Sequence, residues 1–140
     1  GNGVLPVHQL LAMGNRVGLG SDISGGYTPS LYHNIRQAVK SSRILTDGVD
    51  SRRPAAQRGV ADSQIIAATA FYLATAGGAR ALNLAAGRIA VGCRADLQVV
   101  RAQRMWKRMS DADVFERLMY QIEAADIKGV YVNGHLVYEN

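Results

Sequence analysis

Cysteine is almost missing from this chain of 140 residues, with Cys93 the only one. That excludes an internal disulfide and fits a reducing compartment. Proline is also scarce, at three residues, and aromatics make up 6% of the chain, so neither a disordered proline-rich tract nor a base-stacking surface is indicated. No apolar run approaches the roughly 18 residues of a spanning helix, so no membrane partner is expected. A charged-then-apolar leader is missing from the front, and so is an initiator methionine. The chain opens "GNGVLPVHQLL", directly into helical patterning, and reads as a piece of something longer.

What is present is an ordinary globular composition. Apolar residues make up 48%, enough for one small domain with a core. The net charge of +5 raises the question of nucleic acid. Its tightest basic groups are Arg52, Arg53 and Arg58, and Arg101, Arg104, Lys107 and Arg108 around Trp106. Neither is interleaved with stacking aromatics, so a solvated basic face is expected and no nucleic-acid partner.

Pro6 opens a short helix with the stripe Val7, Leu10, Leu11, ending at Gly14. The run from Arg16 to Leu19 reads as a buried strand. Ser30 can cap a helix from Leu31 to about Ser42, with Ile35, Ala38 and Val39 on one face. Residues 46–60 are polar and aperiodic and read as a surface loop. Asp62 is placed to cap an apolar helix, "SQIIAATAFYLATAG", that Gly77 and Gly78 would break. Leu97, Val99 and Val100 suggest a strand. Ser110 and Asp113 resemble a capping box before the stripe Phe115, Leu118, Met119, Ile122. Asn133-Gly134 joins two strand-like runs into a hairpin.

The chemistry-bearing residues are few. Asp22 follows the Arg16–Leu19 run and is succeeded by Gly25 and Gly26. Turns use these residue types. An aspartate just past the C-terminal end of a barrel strand is equally where that fold puts a metal ligand or proton acceptor. A catalytic zinc expects three protein ligands, mostly histidine. His8, His33 and His135 offer no H-x-H or H-x-x-x-H clamp. His33, early in its helix, is either an ordinary first-turn residue or part of a pocket wall. Cys93 has no histidine near it in sequence and reads as structural, and Asp96 reads as a turn residue. No phosphate-cradling or serine-elbow motif is found.

Three stretches carry a family likeness. "RVGLGSDISGGYTPSLYHNIRQAV" resembles the last barrel strand and following segment of the amidohydrolase superfamily, and within it the guanine deaminases, whose pattern G-[ST]-D, G-G-Y, I-R-x-A falls here on Asp22, Gly25, Gly26, Tyr27, Ile35, Arg36 and Ala38. "ATAGGARALNLAAGRIAVGCRADLQVV" is similar to the superfamily's A-T-x-x-G-A-x-x-L and G-x-I-x-V-G-x-x-A-D-L. "GVYVNGHLVY" is similar to its closing hairpin. The family's H-x-H pair, two later histidines and H-x-x-E glutamate are not in this sequence, and Ser21 stands where threonine is commoner.

The resemblance implies an α/β fold: residues 1–86 as the C-terminal segment of a TIM-like (β/α)8 amidohydrolase barrel, and 87–140 as part of the small composite β-sandwich domain. For the intact enzyme it implies a zinc-dependent hydrolase, or one using another divalent metal, that converts guanine or a related purine to xanthine and ammonia. Asp22 would hold the metal and carry the proton. The missing N-terminal portion of the same protein would supply the other ligands, so this piece alone is expected to be inactive. A cytoplasmic homodimer is further implied. The competing expectations are an amidohydrolase of different specificity, for another aminopurine or a triazine, and a non-catalytic domain or assembly piece.

Overall fold

A computed structural model describes residues 3–102 and 109–140; the basic group around Trp106 falls largely outside them. The order is α1 (Val7–Ala12), α2 (Leu31–Asp47), α3 (Ala55–Arg58), α4 (Ala67–Tyr72), a π-helical turn (Leu73–Gly77), α5 (Gly78–Ala81), β1 (Leu97–Val100), α6 (Asp111–Gln121), a 3-10 turn (Ala124–Asp126), β2 (Ile127–Val132) and β3 (His135–Glu139). The fold is mixed α/β with one small antiparallel sheet, and the described residues form no closed barrel.

The core is helical. Ile35 and Val39 of α2 meet Ile65, Ala67, Ala70 and Leu73 from the α4 region and Met119 of α6, all buried. The isoleucine, valine, leucine and methionine side chains among these contribute about 1.5–3 kcal/mol each when fully buried. Val7 and Leu11 of α1 and Val17 and Leu19 pack on its edge, and Phe71 meets Phe115 edge-to-face at 5.3 Å. The stripe expected on α6 is thus the face that binds the core.

Several expectations need correction. Residues 16–20 are extended and put Val17 and Leu19 inward, but they form no strand. A parallel strand needs neighbours, and here the Leu19 N–H donates to a helical carbonyl, Leu73 O, at 2.9 Å. Helix α2 runs on to Asp47, and the loop expected at 46–60 includes the single turn α3. Asp62 caps no helix. The chain stays extended through Ser63–Ile66, where β-branched Ile65 and Ile66 favour that conformation, and the Ile65 N–H donates to the buried Ser42 hydroxyl at 3.0 Å. Nor do Gly77 and Gly78 stop the helix, since both are right-handed helical and α5 continues from them.

The sheet order is β1-β2-β3. Asn133 and Gly134 take positive φ of 51° and 81°, as a tight hairpin turn requires. The tip is fastened to the start of β1: Gly134 N–H donates to Ala95 O, and Asn133 N–H to Asp96 Oδ1, at 2.9 and 2.8 Å. Asp96, read as a turn residue, is therefore the anchor of the hairpin tip. Ser110 accepts from the Asp113 N–H as expected of a cap, while its own hydroxyl donates to Asp113 Oδ2.

Candidate active site

Asp22 sits where the extended segment 16–20 ends, exposed to solvent. The segment lies directly on the helix beneath it. A Cβ on Gly18 would come within 2.9 Å of Gly78 Cα, so the two backbones touch there. The π turn opens the helix at this point, and the Leu73 carbonyl in it receives the Leu19 N–H at 2.9 Å. Position along the segment is thereby fixed three residues before Asp22.

Beyond it the chain reverses. Asp22 and Ser24 both have positive φ, 44° and 84°, and the Gly26 N–H donates to Asp22 O. Left-handed backbone costs little for aspartate, which is enriched there, and more for serine. Gly26 admits no side chain, since its Cβ would lie 1.9 Å from Ser21 O. A Cβ on Gly25 would lie 3.0 Å from Asp22 Oδ2, so only backbone borders the carboxylate on that side. The glycines after Asp22 thus form a tight turn and also leave one flank of the carboxylate clear.

The histidines go elsewhere. His8 is exposed on α1, and His135 is exposed at the first position of β3. His33 does line a cavity of about 250 Å³ with Tyr27 and Arg36, but its Nε2 lies 3.0 Å from Glu123 Oε2. Arg36 Nη1 donates to the other oxygen of that carboxylate at 2.8 Å. Arg36 first, and His33 after it, hold the Glu123 carboxyl below its ordinary range. The two bonds occupy both oxygens of the carboxylate. Sequence reading did not single out Glu123; it is 87 residues from Arg36, and no local pattern links them.

Cys93 accepts from Arg88 Nε at 3.4 Å and lines a separate cleft of about 620 Å³ with Arg16, Tyr72 and Arg80. Asp22 does not border that cleft. Among the described residues no three His, Cys, Asp or Glu side chains come together as a metal site, and no helix is long and apolar enough to cross a membrane. Asp22 fits one place in a metal's shell: a carboxylate oxygen donor, accessible, with no side chain at Gly25 to crowd it. A whole site needs about two more donors, which must come from outside these residues.

The amidohydrolase family model matches residues 1–137. A guanine deaminase of Dictyostelium discoideum is 30% identical over 97% of this chain, which spans 30% of that protein. A formimidoylglutamate deiminase of Pseudomonas aeruginosa is 32% identical over 98% of the chain and 29% of its own length. A crystal structure of guanine deaminase from C. acetobutylicum with guanine bound in the active site superposes with a TM-score of 0.78 at 28% identity. That match covers 97% of this chain and 30% of the other. The chain thus spans under a third of each of these relatives, and it belongs to the amidohydrolase family.

Proposed function

We propose that the full-length protein hydrolytically deaminates guanine, or a closely related aminopurine, to xanthine (or the corresponding oxopurine) and ammonia. Residues 1–86 are then the last part of its barrel and 87–140 part of the small composite β domain. The observation that carries the reading is the presentation of Asp22. An extended segment seated on a helix ends in a left-handed aspartate, followed by a turn that glycine alone can make. Likeness to guanine deaminases in sequence and in structure supports the purine.

Asp22 is a ligand for a divalent metal, with zinc the expected ion. Zinc, when bound, lowers the pKa of water to about 7. Asp22 takes the proton from the attacking water and delivers it to the departing amine. Water adds its oxygen to C2 of the purine, the C–N bond breaks, and the amine leaves as ammonia. The remaining metal ligands and the acid that protonates the ring belong to the rest of the protein. The same reading carries a cytoplasmic, homodimeric enzyme, tested by fractionation and by mass in solution.

The test is Asp22→Asn in the full-length protein, which keeps shape while removing charge and basicity. Ammonia release from guanine should fall roughly 10²–10⁴-fold, the scale of a positioned proton-transfer group, and zinc retention should weaken. A rate within a few-fold of wild type would make the aspartate a turn residue only. A second specificity is favoured by the comparably similar deiminase. Assaying formimidoylglutamate beside guanine separates the two, since Asp22 serves either reaction.

A further inference from the structure

Asn34 and Arg36 have no part in the chemistry above, yet both spend their polar groups on distant backbone. Asn34 is buried, 6% exposed, and its Nδ2 donates to Thr28 O at 2.9 Å. Thr28 closes the loop that Asp22 opens, and its hydroxyl accepts from the Ser30 N–H at 3.2 Å. The far end of the loop is therefore tied to the first turn of α2. Two residues on, Arg36 reaches the other way. Its Nε donates to Met119 O at 2.9 Å, its Nη2 to Ile122 O, and its Nη1 to Glu123 Oε1 at 2.8 Å.

Those acceptors are carbonyls at the end of α6 and the carboxylate just beyond it. Helix ends leave carbonyls unpaired and partially negative, and a guanidinium answers both needs. The receiving end is itself fixed, because the Glu123 N–H donates to Asp126 Oδ2 at 3.1 Å and the Asp126 N–H returns to the Glu123 side chain. His33 adds a bond to Glu123, and the Tyr32 hydroxyl donates to Gln98 Oε1 of β1 at 3.0 Å. The first two turns of α2 are thus bound on one side to the Asp22 loop and on the other to the C-terminal third of the chain. Arg36 meets the three acceptors with three separate nitrogens of a rigid plane, and a lysine ammonium, whose donors all sit on one nitrogen, cannot span them.

We propose that Asn34 and Arg36 are positioning residues for Asp22, holding the loop 22–28 to α2 and α2 to the end of α6. This rests on the reading of Asp22 as the metal-binding, proton-carrying group. It makes the segment 119–126, remote in sequence from that group, a determinant of its placement.

A double-mutant cycle in the full-length, zinc-loaded protein tests it. Arg36→Lys should lower kcat about tenfold, since misplacement of a reacting group by about 1 Å can cost up to 10²-fold. In the Asp22→Asn background the same change should alter the residual rate by less than about twofold, because nothing is left to position. Asn34→Leu, which keeps volume and removes the donor, should repeat the pattern. Glu123→Gln, at an exposed site that does not threaten folding, should follow it at smaller amplitude. Equal fold-losses in the two backgrounds would make these residues merely structural and overturn the proposal, as would an unchanged kcat for Arg36→Lys. If Asp22→Asn itself leaves kcat within a few-fold, the reading of Asp22 falls and this inference falls with it.

Discussion

Two extended segments of this molecule end in left-handed turns, and they are held by different means. The hairpin β2–β3 reverses at Asn133-Gly134, and β2 is laddered on both sides, by β1 and by β3. Segment 16–20 reverses at Asp22–Gly26 with no strand beside it among the described residues. One backbone bond, to Leu73 O, and the contact of Gly18 with Gly78 hold it in place, together with Val17 and Leu19 on the core edge. A laddered turn shares any disturbance among many hydrogen bonds. A segment seated by contact passes it on to the turn at its end, and here that turn begins at Asp22.

The comparison is broken most directly by one methyl group in each turn. Gly26→Ala puts a Cβ 1.9 Å from Ser21 O, and backbone has to move to admit it. Asp22 lies inside the same turn, so the full-length enzyme should lose about 10²-fold in kcat, the scale of an approximately 1 Å displacement of a reacting group. Amide exchange in β2 and β3 should stay as in wild type. A variant that keeps its rate would mean that the turn does not set the carboxylate.

The same contrast explains what could be read from the residues. The hairpin was legible because Asn-Gly and its flanking alternation act within about ten residues. The α6 stripe was legible too, because Phe115, Leu118, Met119 and Ile122 recur at helical spacing. "VGLG" also carries the composition of a buried strand. Being one, however, depends on neighbours that no local pattern supplies, and among the described residues a helix carbonyl takes that place. Asp62 and the glycine pair failed as helix punctuation for a related reason. Packing of Ser63, Ile65 and Ala67 on the core decided where α4 begins. Contact with Gly18 fills the space beside Gly78. Of the candidate site, Asp22 and its glycines were visible as a motif. The Arg36–Glu123 link was not, since it joins residues 87 positions apart.

Gly134→Ala is the counterpart in the laddered turn. Its φ of 81° is unfavourable for a residue with a Cβ, costing about 1–2 kcal/mol. Amides of β3 and the outer half of β2 should exchange faster, and the unfolding midpoint should fall slightly. Ammonia release should stay within about twofold of wild type, because the turn's hydrogen bonds go to Ala95 and Asp96 and not to loop 22–28. A large loss of rate would mean that the sheet and the Asp22 loop are more tightly coupled than their hydrogen bonds indicate.

The smallest expected effect sits at the junction of the two regions. Arg36 first, then His33, lowers the Glu123 carboxyl from its ordinary 4.5. Unfolding releases these partners, so near and below that ordinary value the unfolded chain binds a proton that the folded chain does not. Stability therefore rises with pH in that window. The contribution is complete above the ordinary glutamate value and is lost as pH falls through the lowered folded one. Because the carboxylate is exposed, water screens the pair and the effect is modest. Glu123→Gln should thus be less stable than wild type near neutrality, and the gap should close as the solution is acidified below the ordinary carboxyl range. Urea midpoints of both proteins, stripped of metal with a chelator so that ligand protonation does not intrude, measure that difference at each pH. A gap that stays constant down to strong acid would show that the bonds from Arg36 and His33 do not depend on the Glu123 charge. The tie between α2 and the end of α6 would then be one of hydrogen-bond geometry, at Glu123 as at the Met119 and Ile122 carbonyls, rather than of charge.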